Sequence, residues 1–284
     1  MIDHPRDSPN NDRAALWLRH APGEPVLKGV NWGGLATLYI KEVRRFFKVQ
    51  TQTVWAPAIT TLLFLVIFTV ALGRSGREVM GVPFADFLAP GLIVMAMMQN
   101  AFANASFSLL VGKIQGNIVD YLMPPLSTGE LIAGLVGAAL TRAFLVGGAV
   151  WLAMLLWPGV SVEVRQPALL FYFALMGSLL LSFLGLLTSV WAEKFDHAAA
   201  VTNFVVTPLS LLSGTFYSVD QLSEGWQAVS HANPFFYIIS GFRAGFLGVS
   251  DSPLLIGGAV LLLLNIALWA VCYGLLKSGW KIKH

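Results

Sequence analysis

The sequence predicts an all-α polytopic membrane protein with six transmembrane helices, an N-terminal interfacial helix and external re-entrant helices. Of its 284 residues, 56% are hydrophobic and only 12% are charged, whereas soluble domains carry about 25% charged residues. Each of six apolar runs can cover a hydrocarbon core that needs about 20 residues of helix. The runs are 54–72, 87–111, 131–157, 168–192, 198–217 and 253–276.

The remaining segments are too short for a second globular domain. Residues 1–30 contain four prolines, mixed charges and few apolar residues, so we expect a mostly disordered cytoplasmic tail. The first apolar run begins at Val54, which predicts a permanent span and no removed signal. A connecting helix over 31–50, a membrane domain over 51–277 and a cytoplasmic C-terminus over 278–284 complete the expected organisation.

The distribution of Lys and Arg predicts the orientation in the membrane. Thirteen of them lie in the N-terminal segment, the C-terminus and the loops on the same side, and four lie on the opposite side. Cytoplasmic segments carry the excess of positive charge. Both termini are therefore expected in the cytoplasm, and an even number of spans agrees with this because it places both termini on one side. The four opposite residues are Arg74, Arg77, Arg165 and Arg243.

Residues 31–50 predict an amphipathic helix that lies in the membrane interface. Apolar residues recur there at three- and four-residue steps, and basic residues occupy the remaining arc. The apolar set is Trp32, Leu35, Tyr39, Val43 and Phe46, and the basic set is Lys41, Arg44, Arg45 and Lys48. The pattern fits a membrane anchor alone, and it equally fits an anchor that also contacts a cytoplasmic partner.

The loop between the second and third spans predicts a short cytoplasmic helix over 113–123. Ile114, Ile118 and Leu122 are four residues apart, with Tyr121 beside them, and Pro124 and Pro125 then stop the helix. An apolar ridge outside the membrane must be buried somewhere. It either packs on its own bundle or inserts into a groove of a soluble partner.

Arg142 is the one charged residue within the six apolar runs, which contain no Asp or Glu. An unpaired arginine at that depth costs about 2.5–3.5 kcal/mol on insertion scales. Arg142 should therefore pair with carbonyls or a polar side chain, or contact an anionic substrate or lipid headgroup. In the same span, Gly134/Ala138 and Ala143/Gly147 have a spacing that lets helices approach closely, either within the bundle or between copies.

The segment 218–248 predicts two short helices that enter the outer leaflet and return. Leu222, Trp226 and Val229 lie at helical steps, and an aromatic run follows Asn233–Pro234. Irregular backbone exposed to lipid is costly, so the hairpin must be helical or packed on protein.

Three function classes compete. A secondary transporter needs ion-coupling groups at the midplane, which acid-free spans do not supply. An integral-membrane lipid-modifying enzyme needs a reactive cluster, but the five histidines are scattered, and neither H-E-x-x-H nor G-x-S-x-G occurs. The membrane subunit of a transporter driven by a separate ATPase needs a path, a gate and a docking element, and it fits best. The basic residues lie beside the membrane, so nucleic acid is not an expected partner.

Three stretches resemble the membrane subunits of ABC type-2 exporters. They are KIQGNIVDYLMPPLSTGELIAG, EKFDHAAAVTNFVVTPLSLLSGTFYSV and WQAVSHANPFFYIISGFRAGFLG. The similarity runs from about Trp32 to Lys277 and is greatest to bacterial permeases of the drug, nodulation-factor and polysaccharide export branch. It implies a multi-pass protein of the bacterial inner membrane, working as a homodimer with two copies of an ABC ATPase.

The resemblance also implies roles for individual residues. Residues 31–50 would be the connecting helix, 113–123 the coupling helix and 218–248 the external re-entrant helices. The ATPase-coupling interface would include Ile114, Ile118, Asp120, Tyr121, Leu122, Lys41, Glu42, Arg44 and Arg45. The substrate path would include Arg142, Phe102, Phe107, Phe204, Phe216 and Tyr217. ATP and Mg²⁺ would bind the ATPase, and this chain would bind no cofactor. The exported cargo would be a drug, a lipid, or a glycolipid or polysaccharide.

Overall fold

The computed structural model describes residues 29–72, 78–157 and 159–281. The tail predicted over 1–30 lies outside this range except for Gly29 and Val30, and Arg74, Arg77 and the last three residues lie outside it too.

The N-terminal half contains the interfacial helix, two spans and a short cytoplasmic helix. Helix α1 is Trp32–Phe47, a π-helix follows at Thr51–Trp55, and α2 is Ala56–Leu72. The two-residue strands β1 (Glu78–Val79) and β2 (Val82–Pro83) form an antiparallel hairpin. Then come α3 (Phe84–Ile114) and the four-residue helix α4 (Val119–Leu122).

The C-terminal half contains the remaining spans and the predicted hairpin. Helices α5 (Thr128–Leu155) and α6 (Pro167–Trp191) are followed by α7 (Phe195–Val201), a π-helix (Thr202–Val206) and α8 (Thr207–Leu211). A 3₁₀ turn at Val219–Gln221 leads to α9 (Glu224–Ala232) and α10 (Pro234–Leu247). The last helix is α11, Leu254–Ser278.

Within the described ranges, five helices are long and apolar enough to cross a membrane. They correspond to the first, second, third, fourth and sixth predicted spans. The fifth prediction, 198–217, corresponds to α7, the π-helix and α8, which follow one another without a break and have seven, five and five residues. Together they lie at the short end of the 17–25 residues that a spanning helix needs. The helical part ends at Leu211, before Phe216 and Tyr217.

Both π-helices occur just before a proline. The first ends at Trp55, two residues before Pro57, and the second ends at Val206, two residues before Pro208. Proline cannot donate to the carbonyl four residues earlier, and its ring clashes with that carbonyl. Widening of the preceding turn relieves the clash, so each proline explains the local departure from α-helical geometry. The sequence indicates such a kink at Pro208.

Helix α3 is the centre of the bundle. It packs against α6, α5, α10 and α2, and 83% of its most apolar 18-residue window is buried, compared with 17% for the first span and 22% for α11. The first span and α11 therefore present most of their apolar surface to the surroundings. The predicted small-residue pairs pack inside the chain: a Cβ at Gly134 would lie 2.8 Å from Leu38, and one at Gly147 would lie 2.5 Å from Met97.

The helix predicted over 113–123 is not continuous. Lys113 and Ile114 belong to the end of α3, and the chain then turns at Gly116, whose φ is +74°. The turn is closed by the Asn117 amide, which donates to the Gly112 carbonyl at 2.9 Å. A left-handed φ suits glycine and ends a helix. The four-residue periodicity therefore crosses a helix end instead of marking one helix face.

The predicted hairpin over 218–248 contains two helices, α9 and α10, and α10 is buried along nearly its whole length. Its Arg243 is fully buried and donates to Asp251 Oδ2 at 2.7 Å and to the Gly214 carbonyl at 2.6 Å. The guanidinium also lies 3.8 Å from the ring centroid of Phe87 on α3. This buried ion pair fixes α10 to the start of α3 and to the chain that follows α8.

We expect Gly185→Ala to lower the melting temperature of the purified chain. Its Cβ would lie 2.6 Å from the Phe102 carbonyl oxygen, where α6 crosses α3, and overpacking of this kind costs about 1–3 kcal/mol. Gly274→Ala on α11 is the matched control, because nothing lies within 4 Å of its Cβ position. Equal melting temperatures for the two variants, measured in one detergent, would contradict a close α3–α6 contact.

Candidate functional site

A fully buried carboxylate connects α1 with α4 at one end of the bundle. Glu42 lies on the face of α1 that packs on the chain, and its side chain is 0% exposed. The Tyr121 hydroxyl, also buried, donates to Glu42 Oε1 at 2.9 Å. Burial raises the pKa of Tyr121 far above its ordinary value, and the charge of Glu42 and their hydrogen bond raise it further. Tyr121 therefore keeps its proton and remains a donor to the carboxylate.

Arg45 joins the same carboxylate to α3. One of its nitrogens lies 2.9 Å from Glu42 Oε2. Its guanidinium also donates to the carbonyls of Phe107 and Asn104, at 3.0 and 2.9 Å, and to Ser108 Oγ at 3.2 Å. A buried carboxylate is stable only when paired and hydrogen-bonded. Glu42, Arg45 and Tyr121, which we call the Glu42 cluster, therefore hold α1, α3 and α4 together.

Close packing and a cation complete this connection. The Lys41 ammonium lies 3.8 Å from the ring centroid of Tyr121, a geometry in which the ring attracts the cation. A Cβ at Gly112 on α3 would lie 3.2 Å from Cε2 of the same ring. The Tyr121 ring thus contacts both α1 and α3, and these contacts fix α4 to the bundle.

The loop after α4 is fixed to the beginning of α1. The backbone amides of Asn31 and Ser127 donate to the two carboxylate oxygens of Glu130, at 2.5 and 2.6 Å. The Asn31 side chain donates to the Pro125 carbonyl at 3.2 Å. Ser127 and Glu130 also form a capping box at the start of α5. The segment from Val119 to Glu130 therefore contacts α1 near both ends of that helix.

An open groove of about 850 Å³ lies between α1 and the end of α3. Its walls carry the basic side chains of α1 and polar groups of the turn before α4. The lining includes Lys41, Arg44, Arg45, Lys48, Gln115 and Asn117. The groove is therefore positively charged, and the buried Glu42 and Tyr121 form part of its floor.

Apolar side chains project beside this groove, at and just after the end of α3. Ile114, Val119, Leu122 and Met123 are 41, 52, 39 and 77% exposed. We call these four residues the α4 ridge. Apolar side chains that cluster on a surface mark an interaction site more often than scattered ones do.

The predicted coupling residues divide into an exposed and a buried group. Asp120, Lys41 and Arg44 are exposed with Ile114 and Leu122, whereas Ile118 and Arg45 are half-buried and Glu42 and Tyr121 are buried. Sequence reasoning missed Val119 and Met123, because they fall off the four-residue period. The Gln115–Asn117 turn with its central glycine is the signal that could have placed them.

Arg142 is paired with a side chain on α3. Its Nε and Nη2 both donate to Asn100 Oδ1, at 3.2 and 2.9 Å. In the described part of the chain no carboxylate forms an ion pair with it. The structure therefore supplies the polar partner that the sequence predicts, while no described carboxylate neutralises the positive charge.

The aromatic residues predicted for the path do not form one cluster. Phe102 is fully buried, whereas Phe107 and Phe204 are 36 and 82% exposed. The Phe216 ring is tilted against that of Phe68 on α2, with the ring centroids 4.5 Å apart, and Tyr217 donates to the Leu212 carbonyl at 3.0 Å. Within a single chain, Phe204 and Phe107 are therefore the path candidates with most open surface.

We expect Tyr121→Phe to destabilise the chain, because the buried Glu42 would lose a donor. An unsatisfied buried acceptor costs about 1–3 kcal/mol. Glu42→Gln removes the charge, and the double variant completes a double-mutant cycle. The quantity compared is the free energy of unfolding in detergent. Residues in one hydrogen-bonded network couple by about 0.5–3 kcal/mol. Strictly additive effects would show that Tyr121 and Glu42 do not act together.

The fold and this site define a multi-pass membrane protein with a basic groove and an apolar ridge at one end of its bundle. The family model described as ABC-2 type transporter matches residues 34–247, so the chain belongs to the ABC-2 type transporter family. This membership makes it a transport subunit and not an enzyme.

Curated relatives cover most of the chain. Inner membrane transport permease YadH of Escherichia coli (strain K12) is 37% identical over 248 residues, 87% of this chain and 96% of the relative. Nodulation protein J of Neorhizobium galegae is 26% identical, over 77% of this chain and 85% of the relative. Nodulation protein J of Sinorhizobium fredii is 26% identical, over 93% of this chain and 97% of the relative.

Proposed function

We propose that this chain is the permease subunit of an ATP-driven exporter in the bacterial inner membrane. Two copies of the chain form the export path, and two copies of a separate ABC ATPase bind the α4 ridge. The observation that carries the proposal is the apolar α4 ridge beside a basic groove. The relative named as an inner membrane transport permease supports the location and the transport role.

The α4 ridge suits a docking element because its apolar side chains are exposed while the helix that carries them is fixed to the bundle through Tyr121. Val119, Leu122 and Met123 face outward, while Tyr121 of the same short helix is held by Glu42. An ATPase groove that takes up the ridge would therefore act on α1 and α3 as well as on α4. ATP and Mg²⁺ bind the ATPase in this scheme, and the permease contributes only the moving path.

The ridge end of the bundle is assigned to the cytoplasm. Lys41, Arg44, Arg45 and Lys48 lie there. The end of α6 lies on the same side, since Lys113 at the end of α3 donates to the Ser189 and Val190 carbonyls at 3.1 and 2.8 Å. The end of the last span lies beside it, since Lys281 pairs with Glu193 at 2.9 Å. The excess of positive charge marks the cytoplasmic side. Both termini are then cytoplasmic, and α9 and α10 form the external hairpin.

We expect Val119→Asp and Met123→Asp to abolish co-purification with the ATPase, because each places a charge on the apolar ridge. Both side chains are largely exposed, so the permease should keep its wild-type melting temperature. Val229→Asp on α9 is the matched control, since Val229 is 51% and Val119 is 52% exposed. Wild-type recovery of the ATPase with both ridge variants would overturn the docking proposal. Tyr121→Asp is unsuitable for this test, because it disrupts the Glu42 cluster.

The cargo is assigned to amphipathic molecules that carry negative charge. Arg142 has an uncompensated charge at membrane depth, and its partner Asn100 borders a pocket of about 300 Å³ between the first span and α3. Gln52, Thr60 and Gln99 give this pocket a partly polar wall. We assign the anionic group of a drug, lipid, glycolipid or polysaccharide to this site, and the likeness to Nodulation protein J is a likeness to another chain rather than evidence for one of these cargoes.

We expect Arg142→Gln to reduce the stimulation of ATP turnover by an anionic amphiphile, while basal turnover of the reconstituted complex stays near wild type. Arg142→Lys keeps the charge and should retain most of the stimulation. A neutral detergent-like substrate serves as the control cargo. Equal stimulation of wild type and Arg142→Gln by an anionic lipid panel would assign Arg142 to packing alone.

A further inference from the structure

We propose that a cavity between α3, α5, α6 and α10 holds one acyl chain of a phospholipid, whose phosphate lies at Arg165. The lipid comes from the leaflet on the side of the α9–α10 hairpin. This site is separate from the Glu42 cluster and from Arg142, and it does not depend on the proposed ATPase.

The cavity has a volume of about 250 Å³ and almost wholly apolar walls. Drug-sized ligands occupy pockets of about 300–1,000 Å³, so this one suits a single chain better than a bulky ring system. Its lining is Ile93, Met97, Phe144, Gly147, Gly148, Trp151, Val164, Leu170, Ala174, Phe242 and Phe246.

Two adjacent glycines of α5 shape the cavity wall. Gly147 is in close contact with α3, since a Cβ there would lie 2.5 Å from Met97 Cγ. At Gly148 the Cβ position has nothing within 4 Å. One glycine thus allows close packing, and the next leaves room at the cavity. Trp151 forms a fixed side of this space, because its Nε1 donates to the Val162 carbonyl at 3.1 Å.

Arg165 lies at the end of the cavity where α6 begins. It is adjacent in sequence to the lining residue Val164, and its backbone amide donates to the Gly245 carbonyl at 3.0 Å. Its Nη1 donates to the Leu247 carbonyl at 3.0 Å, directly after the lining residue Phe246. Arg165 is therefore held beside α10, two residues before the membrane-spanning part of α6.

The guanidinium of Arg165 has N–H donors beyond the one that bonds the Leu247 carbonyl. The residue is exposed, and in the described ranges it forms no ion pair. Arg243, the other described arginine on this side, is buried against Asp251. Arginine presents planar N–H donors that match phosphate oxygens. At this end of the bundle, Arg165 is thus the described arginine that is available to a phosphate.

A phospholipid joins the two features that the structure places side by side. The apolar cavity lies within the span region, where hydrocarbon is the surrounding solvent, and the exposed cation lies at the level where the spans begin. The acyl chain would fill the apolar cavity, and the phosphodiester would reach Arg165. Because the cavity walls come from α5, α6 and α10, the bound chain would hold the hairpin helix against the spans.

The test uses the full chain in nanodiscs that contain phosphatidylethanolamine with brominated acyl chains, which quench nearby tryptophan fluorescence. The chain has nine tryptophans, so the signal of Trp151 is the difference between wild type and Trp151→Phe. We expect strong quenching of the Trp151 signal in wild type and its loss in Gly148→Leu, whose side chain fills the cavity. Gly274→Leu is the matched control, because it too has nothing within 4 Å but lies on α11.

Native mass spectrometry with unlabelled phosphatidylethanolamine supplies the second readout. Wild type and Gly274→Leu should retain one lipid per chain, and Gly148→Leu should lose it. Arg165→Gln keeps an N–H donor but loses the charge, so it should weaken retention, and Arg165→Lys keeps the charge and should restore it. Equal retention by Arg165→Gln and wild type would show that the Arg165 charge does not hold the phosphate, which would overturn its assignment. Unquenched Trp151 in wild type would overturn the proposal whatever the variants do. Retention by Gly148→Leu equal to that of Gly274→Leu would overturn it as well.

Discussion

The organisation of this protein depends on a carboxylate that is buried where an amphipathic helix meets the end of a membrane bundle. Glu42 has no exposed surface, so its charge must be stabilised by Arg45 and by the Tyr121 hydroxyl. Each partner belongs to or contacts a different element. The requirement to satisfy one charge therefore determines the relative positions of α1, α3 and α4. The apolar ridge is held in place by this cluster instead of by the stability of a four-residue helix.

A second buried ion pair, Arg243–Asp251, fixes the relative positions of helices at the opposite end of α3. Arg243 and Asp251 are both shielded from solvent, and the arginine also contacts the Gly214 carbonyl and the Phe87 ring. Desolvation of such a pair offsets much of its attraction, but loss of one partner leaves an uncompensated charge and costs several kcal/mol. The pair therefore contributes more to the position of the hairpin than to net stability. Gly91 adds a close contact, since its Cβ position lies 3.1 Å from the Thr215 carbonyl oxygen.

Hydrophobic run length predicted five of the six expected spans, because a bilayer demands long apolar helices whatever their packing. It could not predict how far α3 extends. The run ends at Val111, yet Gly112 packs on the Tyr121 ring and the helix continues to Ile114. The burial of Glu42 was equally hidden, since an amphipathic pattern places charged residues on the polar arc. Its partner Arg45 is three residues away on the same helix, but its partner Tyr121 is brought to it only by the tertiary structure. For Arg142 the need for a polar partner was predictable, but the choice of Asn100, 42 residues away, was not.

Helix α3 is the element that both networks share. It has 31 residues, about 46 Å at 1.5 Å per residue, and its two ends carry contacts with Arg45 and with Arg243. A buried helix packed on all sides transmits displacement as a rigid body, because close-packed interiors are weakly compressible. Its one internal proline, Pro90, lies near the Arg243 end. A displacement applied to the α4 ridge would therefore reach the hairpin side through α3 without any continuous chain of charged residues. For the exporter that we propose, the same reasoning places the interactions that set the position of the central helix at its two ends, where buried ion pairs take the place of polar groups that the membrane interior excludes.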